Sequence, residues 1–554
     1  MPRRRRRRSS FSSYGRTGAP WLQPVGRHRR RRVHVGPLLV VAALIVVAAA
    51  AAAFVYKRHE AADRRQAAAQ HFADAWRRGD YATMYRLITP AARRVRSAAA
   101  FAGLYRAVRR QATITRITPQ AAGTVRKGRS VVRVRVQTRL FGTLRGKVTL
   151  PIEDAGSGSY VAWTPALRLP GLRPGEAVMR RILRTPPRAP VLAADGSRLA
   201  DHPASAAIAG TEPAPGQPGT GIESLYNARL GGRSGAELRF GRRVIKKVPV
   251  RKGRAVRSTI VPSVQAAAAA ALGGRLGGVA VVRPRTGDIL ALSGLAVSAP
   301  QPPGSTFKII TLSASLQHRI ATPASSYPVR TYALLSGVRL RNASDESCGG
   351  SLGASFAISC NSVFAPLGAK LGAKRLVAAA ESFGFNEKLR VPAFKPSTIP
   401  APSQLKDDLA VGASAIGQDR DLATPLTMAS IGATIGNDGV RARPRIARSE
   451  PVRRRRVVRA TVAHEVRTMM LSVVSTGTGV AAALPGIQVA GKTGTAELRP
   501  TASGPSDPKN TDAWFVAFAP AQAPKLAVAV MLVGAGAGGA AAAPVARQVL
   551  AAAL

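Results

Sequence analysis

A serine and a lysine three residues apart, Ser305 and Lys308, could together carry out covalent chemistry. A serine hydroxyl is a weak nucleophile until a neighbouring base removes its proton. A lysine at i+3 lies on the same face of a helix as the serine, so we predict that Lys308 is this base. Lys308 must be neutral to act, and the site must therefore lower its pKa through burial and through the charge of Lys492.

Two further polar motifs follow in the chain. Ser359-Cys360-Asn361 lies between two helix-like stretches, 352–358 and 363–371, and Lys492-Thr493-Gly494-Thr495 follows the strand-like run 487–490. Glycine within such a strand allows another segment to approach its edge closely. In this order, the three motifs predict a serine acyl-transfer site.

Each motif alone is weak evidence. Serine followed by lysine at i+3 is expected about once by chance in a chain of this length, and a polar tripeptide is typical of an ordinary loop. The setting of Ser305 is more informative, because Pro302-Pro303-Gly304 ends the preceding segment and an apolar helical run starts at the serine. A helix N-terminus would stabilise an oxyanion formed on acylation.

In order and spacing, these motifs resemble those of the class B penicillin-binding proteins, the peptidoglycan D,D-transpeptidases of bacterial cell walls. The resemblance extends from about Val256 to the C-terminus and includes Ile416-Gly417-Gln418, near the family's substrate cleft, and the strand that starts at Asp512. It implies a membrane-anchored transpeptidase that crosslinks stem peptides through an acyl-enzyme on Ser305 and that is acylated by β-lactams.

The resemblance also implies roles for the site residues. Ser359 and Asn361 would relay protons and hold the peptide amide, and the backbone N–H groups of Ser305 and Thr495 would form the oxyanion hole. The implied catalytic residues are Ser305, Lys308, Ser359, Asn361 and Lys492, and the substrate-binding residues are Thr493, Gly494 and Thr495. We expect no cofactor and no metal; the implied partners are stem peptides, β-lactams, the membrane and a SEDS-type glycan polymerase in a wall-synthesis complex.

The predicted fold class is α+β, with an antiparallel sheet flanked by helices as in penicillin-binding transpeptidases and serine β-lactamases. The predicted strands of this sheet are Val279–Val282, Ile289–Leu292, Val489–Thr495, Trp514–Ala519 and Leu526–Val533. An Ala-rich C-terminal helix is expected to pack on one face of the sheet.

The N-terminus predicts a membrane anchor. Residues 1–35 are rich in arginine and contain no acidic residue, which predicts a disordered cytoplasmic arm. Residues 36–56 form an uncharged apolar run of about the 20 residues that span a bilayer, so we predict a transmembrane helix with the rest of the chain outside the cytoplasm. A cleaved signal peptide is the alternative, but its apolar region is usually only about 7 to 15 residues long.

Three domains are predicted after the span. Residues 60–176 combine helical periodicity with alternating strands such as Val132–Val136 and resemble the nuclear-transport-factor-like domain of MecA-type penicillin-binding proteins. Residues 186–255 resemble the family's pedestal domain, although Ala189, Ala193 and Ala194 depart from its usual Arg/Asp/Asn pattern. Residues 256–554 form the predicted transpeptidase domain.

Charge and cysteine content restrict the interpretation further. The net charge is +56, but only 5% of residues are aromatic and no basic module with interleaved aromatic residues is present, so we do not predict nucleic-acid binding. Outside the membrane, such a cationic chain would be attracted to anionic wall polymers and lipid headgroups. Cys348 and Cys360 could form a disulfide or remain as two small buried thiols.

Three alternative functions share these residues. A β-lactamase or β-lactam sensor would use Ser305, Lys308 and the Lys-Thr-Gly segment, but no clear Glu and Asn deacylation pair follows the Ser-Cys-Asn turn. A non-enzymatic scaffold for wall synthesis would not need the intact motifs. A D,D-carboxypeptidase would differ only in admitting water in place of an amine.

Overall fold

The computed structural model describes residues 36–497 and 508–554 of the 554-residue chain. The predicted Arg-rich arm, residues 1–35, lies outside these ranges. The chain divides into two compact units. Unit 1 comprises the residues up to Arg181 together with Leu238–Lys247, and unit 2 comprises Ile182–Glu237 and Val248–Leu554.

The first element is a single 43-residue helix, α1 (Gly36–Arg78). Within the described ranges it is the one helix long and apolar enough to cross a membrane, with a mean hydropathy of 1.8 over its best window. Its C-terminal half buries Ala69, Phe72 and Trp76 in unit 1. The predicted span, 36–56, is thus only the first half of a helix that contains no glycine or proline from Leu38 to Arg78.

Unit 1 continues with three helices and a four-stranded sheet. Side-chain oxygens of Asp80, Thr89 and Ser97 cap the N-termini of these helices, as short polar residues commonly do. The strands are antiparallel in the order β1-β2-β3-β4. The elements are α2 (Tyr81–Arg86), α3 (Pro90–Val95), α4 (Ala98–Gln111), β1 (Ile114–Pro119), β2 (Arg129–Thr138), β3 (Gly142–Ala155) and β4 (Gly158–Val161).

Short elements fill the next part of the chain, which includes the predicted pedestal domain, residues 186–255. Residues 238–247 belong to unit 1, whereas the rest of that range belongs to unit 2. The elements are β5 (Val178–Ile182), β6 (Val191–Leu192), α5 (Ala206–Ala209), α6 (Gly221–Leu225), α7 (Asn227–Leu230), β7 (Ala236–Phe240), β8 (Arg243–Val248) and β9 (Val256–Arg257).

The rest of unit 2 contains nine of the described helices and a large sheet. The helices are α8 (Pro262–Leu272), α9 (Lys308–Gln317), α10 (Leu352–Ala357), α11 (Asn361–Leu371), α12 (Ala373–Phe383), α13 (Asp408–Ala415), α14 (Pro425–Gly436), α15 (Ala460–Ser475) and α16 (Gly538–Ala553). The strands are β10 (Gly277–Val282), β11 (Ile289–Gly294), β12 (Ser326–Arg330), β13 (Tyr332–Leu335), β14 (Val338–Arg341), β15 (Cys348–Ser351), β16 (Val440–Ala442), β17 (Arg454–Arg456), β18 (Ala490–Glu497), β19 (Thr511–Ala519) and β20 (Leu526–Leu532).

Five of these strands form the central antiparallel sheet, in the order β11-β10-β20-β19-β18. They correspond to the five predicted strands, and the predicted α+β fold is confirmed. Helices α8 and α16 cover one face of the sheet, and α14 packs against the other. Because both faces are covered, β19 and β20 are buried along their whole length and show no polar alternation.

Candidate active site

The predicted nucleophile lies on a tight helical turn. Residues Gly304–Phe307 form a 3₁₀ turn, and the α-helix α9 begins only at Lys308. The predicted helical run thus begins with a 3₁₀ turn at Ser305, and Gly304, which precedes the serine, has a φ of +51°. Side chains at i and i+3 are eclipsed in a 3₁₀ turn, so Ser305 and Lys308 emerge on the same side.

Lys308 is completely buried, and its amine is surrounded by the second motif. Its Nζ donates hydrogen bonds to the Ser359 carbonyl oxygen at 2.7 Å and to Asn361 Oδ1 at 2.7 Å, and lies 3.4 Å from Ser359 Oγ. Burial, followed by the nearby charge of Lys492, lowers the pKa of Lys308 well below its ordinary value. The amine is therefore poised to lose its proton.

Lys492 is a second buried amine in the same cluster. Its Nζ donates to Ser359 Oγ at 2.8 Å and to the Thr493 carbonyl at 3.0 Å. Burial lowers the pKa of Lys492 to about 7. Within the described ranges neither lysine forms an ion pair with a carboxylate, and such a partner would raise the pKa of the amine again.

The second motif is held in place by its backbone and by a crosslink. Asn361 opens α11 and donates from Nδ2 to the Arg341 carbonyl at 2.9 Å, which orients its Oδ1 towards Lys308. Ser359 has a φ of +67°, a left-handed conformation that costs a non-glycine residue energy and often marks a functional site. The structure pairs Cys348 with Cys360, with their Cα atoms 5.8 Å apart, so the open question about the two cysteines is resolved in favour of a disulfide.

The third motif lies on β18, at the edge of the central sheet. The Thr493 and Thr478 hydroxyls are 2.5 Å apart, and Thr495 Oγ1 accepts a hydrogen bond from the Gly538 N–H at 3.3 Å. A Cβ added at Gly494 would lie only 2.8 Å from the Pro303 carbonyl oxygen. Glycine at this position therefore lets the nucleophile turn pack directly against the strand.

The structure thus joins four predicted catalytic residues by hydrogen bonds and leaves the fifth outside the network. Hydrogen bonds connect Lys308 to both Ser359 and Asn361, and another connects Lys492 to Ser359. Among the described residues, no hydrogen bond joins the Ser305 hydroxyl to either lysine. Catalytic hydrogen bonds are often long or misaligned before substrate binds, so this arrangement is compatible with a base at Lys308.

Sequence reasoning did not identify several residues that support the site. Ser414 Oγ donates to both carboxylate oxygens of the buried Asp421, at 2.9 and 2.8 Å. The Ser414 carbonyl accepts from the Gly417 N–H, and the Gly417 carbonyl accepts from the Gly304 N–H at 2.9 Å. This chain of contacts fixes the turn that carries Ser305. Sequence reasoning had singled out Gly417, but nothing local indicated that Asp421 would be buried.

The comparisons with known proteins agree with this geometry. Residues 277–551 match the transpeptidase domain family of penicillin-binding proteins. The peptidoglycan D,D-transpeptidase PbpA of Mycolicibacterium smegmatis is 36% identical over 61% of this chain and 80% of the relative, and PbpA of Mycobacterium tuberculosis is 36% identical over 49% and 59%.

Solved structures show the same likeness. The ceftriaxone acyl-enzyme complex of penicillin-binding protein A from M. tuberculosis has a TM-score of 0.58 at 28% identity, covering 67% of this chain and 99% of that one. The D,D-transpeptidase domain of a peptidoglycan glycosyltransferase from Eggerthella lenta has a TM-score of 0.59 at 28% identity, with the same coverage.

Proposed function

Because the chain belongs to the penicillin-binding protein transpeptidase family, we propose that it is a peptidoglycan D,D-transpeptidase that forms an acyl-enzyme on Ser305 and is acylated there by β-lactams. One observation supports this proposal above the others. Two completely buried lysines converge on Ser359, beside a serine on a tight turn packed against the Lys-Thr-Gly strand.

In the acylation step, Ser305 Oγ attacks the penultimate D-Ala carbonyl of a stem peptide. Neutral Lys308 takes the hydroxyl proton as the new O–C bond forms. Burial and the charge of Lys492 keep this amine neutral more readily than a surface lysine. The Ser305 and Thr495 N–H groups would stabilise the oxyanion that develops on the carbonyl oxygen.

Collapse of the tetrahedral intermediate breaks the C–N bond to the terminal D-Ala, whose amine needs a proton. Ser359 Oγ is well placed to deliver it, because it lies 2.8 Å from Lys492 Nζ and 3.4 Å from Lys308 Nζ. The proton removed from Ser305 can therefore pass through Lys308 and Ser359 to the leaving amine. Asn361 would hold the peptide amide during this transfer.

The Lys-Thr-Gly strand supplies the substrate contacts. The hydroxyls of Thr493 and Thr495 would donate hydrogen bonds to the terminal carboxylate of the stem peptide, and the positive charge of Lys492 would attract it. Gly494 keeps the strand close to the nucleophile turn. An amine from a neighbouring stem peptide then attacks the acyl-enzyme and forms the crosslink, whereas attack by water would give the carboxypeptidase reaction.

The surrounding elements suit an enzyme that acts at the membrane. The first half of α1 would anchor the chain, with residues 1–35 in the cytoplasm and both units outside. Unit 1, with its helices and four-stranded antiparallel sheet, would be the nuclear-transport-factor-like, MecA-type domain and would serve as a spacer. A SEDS-type glycan polymerase would supply the glycan strands whose stem peptides are crosslinked.

Mass spectrometry of the detergent-solubilised chain after incubation with benzylpenicillin tests the function. We expect a stable adduct on the peptide that contains Ser305, and no adduct in Ser305→Ala. An unmodified enzyme with hydrolysed drug would instead identify a β-lactamase. An unmodified enzyme with intact drug would contradict a β-lactam-sensitive acylation site.

A further inference from the structure

Unit 1 has a concave, strongly basic surface on the exposed face of its sheet. A cavity of about 540 Å³ lies there, lined by Gln120, Arg133, Val134, Arg135, Arg145, Gly146 and Lys147. Four of these seven residues are cationic and none is acidic. We call Arg133, Arg135, Arg145 and Lys147 the cationic face.

The strand register places these cations directly opposite one another. Arg133 pairs with Lys147, and Arg135 pairs with Arg145, in the antiparallel ladder of β2 and β3. Like charges directly opposite on a sheet are destabilising. All four side chains are exposed, and within the described ranges none of them makes a hydrogen bond or an ion pair. The face therefore carries a repulsion that the protein itself does not relieve.

Elsewhere in unit 1, some arginines have acidic partners, whereas exposed helix residues such as Arg94 and Arg110 have none in the part of the chain that the structure describes. Arg65 pairs with Asp154, Arg77 with Asp74, and Arg243 with Glu176. What distinguishes the cationic face is that four such cations line one concavity that has no carboxylate in its lining. An external anion would remove this repulsion, and arginine binds phosphate oxygens in a bidentate manner.

We propose that the cationic face binds a linear polyanion in which phosphate diesters alternate with short polyols. Residues two apart on a strand are separated by about 7 Å, so Arg133 and Arg135, facing Lys147 and Arg145, present two successive pairs of cations along one line. This repeat is comparable to that of an extended glycerol phosphate chain. A concave surface admits a single chain more readily than a flat bilayer, and no aromatic ring lines it to stack with nucleic-acid bases.

Hydrogen-exchange mass spectrometry on the full chain in nanodiscs tests this proposal, with poly(glycerol phosphate) as the probe. A site-resolved measurement is needed because the Arg-rich arm will also bind polyanions. We expect the polymer to slow exchange of the β2–β3 peptides several-fold at low salt. The protection should disappear when Arg133, Arg135, Arg145 and Lys147 are all changed to Gln, and should weaken about tenfold or more on moving to high salt.

A matched variant controls for net charge. Changing the exposed helix residues Arg78, Arg94, Arg106 and Arg110 to Gln removes the same charge from unit 1 and should leave the protection intact. Without polymer, both variants should show the wild-type hydrogen exchange of the β2–β3 peptides, which shows that unit 1 is folded, and both should still be acylated by benzylpenicillin, which shows that unit 2 is folded. Equal protection in wild type and in the cationic-face variant would overturn the proposal. So would equal protection by monomeric glycerol 3-phosphate at the same phosphate concentration, or protection by phosphatidylglycerol nanodiscs without polymer.

Discussion

Lys308 and Lys492 are buried amines with lowered pKa values, and the proposed mechanism depends on their proton content. Lys308 is the proposed base because it directly follows the nucleophile turn and lies three residues after Ser305. The Lys308 amine is the donor in its two shortest hydrogen bonds, to the Ser359 carbonyl and to Asn361 Oδ1. A neutral amine can make both of them and still offer its lone pair to a proton.

The first prediction concerns Lys308→Arg. Arginine keeps the positive charge but cannot lose its proton at working pH, so it cannot act as a base. We expect acylation by benzylpenicillin to slow by about 10²- to 10⁴-fold, the usual contribution of a general base. Stopped-flow or quenched mass spectrometry would measure the rate, and Lys370→Arg, on an exposed helix position, is the control. An unchanged rate would exclude Lys308 as the base.

The second prediction concerns pH and Lys492. The pKa of Lys492 is about 7 in the folded chain and near 10.5 when unfolded. Between pH 7 and pH 10.5, the unfolded chain binds a proton at Lys492 that the folded chain does not bind. The contribution of Lys492 to the free energy of unfolding therefore rises with pH across this window and falls as the pH is lowered towards 7. The difference in unfolding free energy between wild type and Lys492→Met should show this slope. A difference that does not vary from pH 7 to 10.5 would contradict it.

At this scale, four of the five predicted catalytic residues meet in the structure, but the sequence did not predict how their atoms connect. The motifs identified Lys308, Ser359, Asn361 and Lys492, and the structure joins them by hydrogen bonds. Motif spacing does not fix the rotamer of a lysine. It therefore could not predict that the Lys308 amine would form hydrogen bonds with Ser359 and Asn361 and not with Ser305. Thr478 was also missed, because its contact with Thr493 depends on packing between distant segments.

At the scale of elements, the turn at Gly304 controls the distance between the nucleophile and β18. Gly304 has a φ of +51°, and a Cβ there would lie 2.8 Å from the Thr495 carbonyl oxygen. The sequence predicted that Pro302-Pro303-Gly304 ends the preceding segment, but not that the glycine also allows this close approach. Such an approach is a long-range contact that local propensity does not encode.

The third prediction therefore compares Gly304→Ala with Gly337→Ala. Both glycines have a positive φ, but a Cβ at Gly337 meets nothing within 4 Å. Both variants place alanine in the left-handed region, which should cost each of them about 1 to 2 kcal/mol of stability. Only Gly304→Ala should also push the nucleophile turn away from β18, and we expect its acylation to slow at least about tenfold, as small displacements of reacting groups do. Equal acylation rates in the two variants would show that the close packing is not needed.

At the scale of the whole molecule, the five-stranded sheet was predicted well because its strands are long and apolar. Helix α1 was predicted less completely, because the sequence analysis treated the span, 36–56, and the helical start of the domain at 60–176 as separate elements, whereas one helix runs through the charged residues Lys57 and Arg58. Helix propensity continues through them, since no glycine or proline intervenes before Gly79. The proposed anchor thus runs into unit 1 without a flexible linker, and its C-terminal half forms part of that unit's core.

The last prediction concerns the direction in which the chain crosses the membrane. The Arg-rich arm precedes the apolar half of α1, whereas only Lys57 and Arg58 follow directly, so the arm should stay in the cytoplasm. Single cysteines introduced as Ser13→Cys, in the arm, and Arg94→Cys, exposed on α3, report the two sides. Both are built in a Cys348→Ser, Cys360→Ser background. A membrane-impermeant maleimide added to intact cells should label Arg94→Cys and should label Ser13→Cys only after the membrane is permeabilised. The reverse pattern would place the candidate active site in the cytoplasm, where no peptidoglycan is available, and would contradict both the topology and the proposed function.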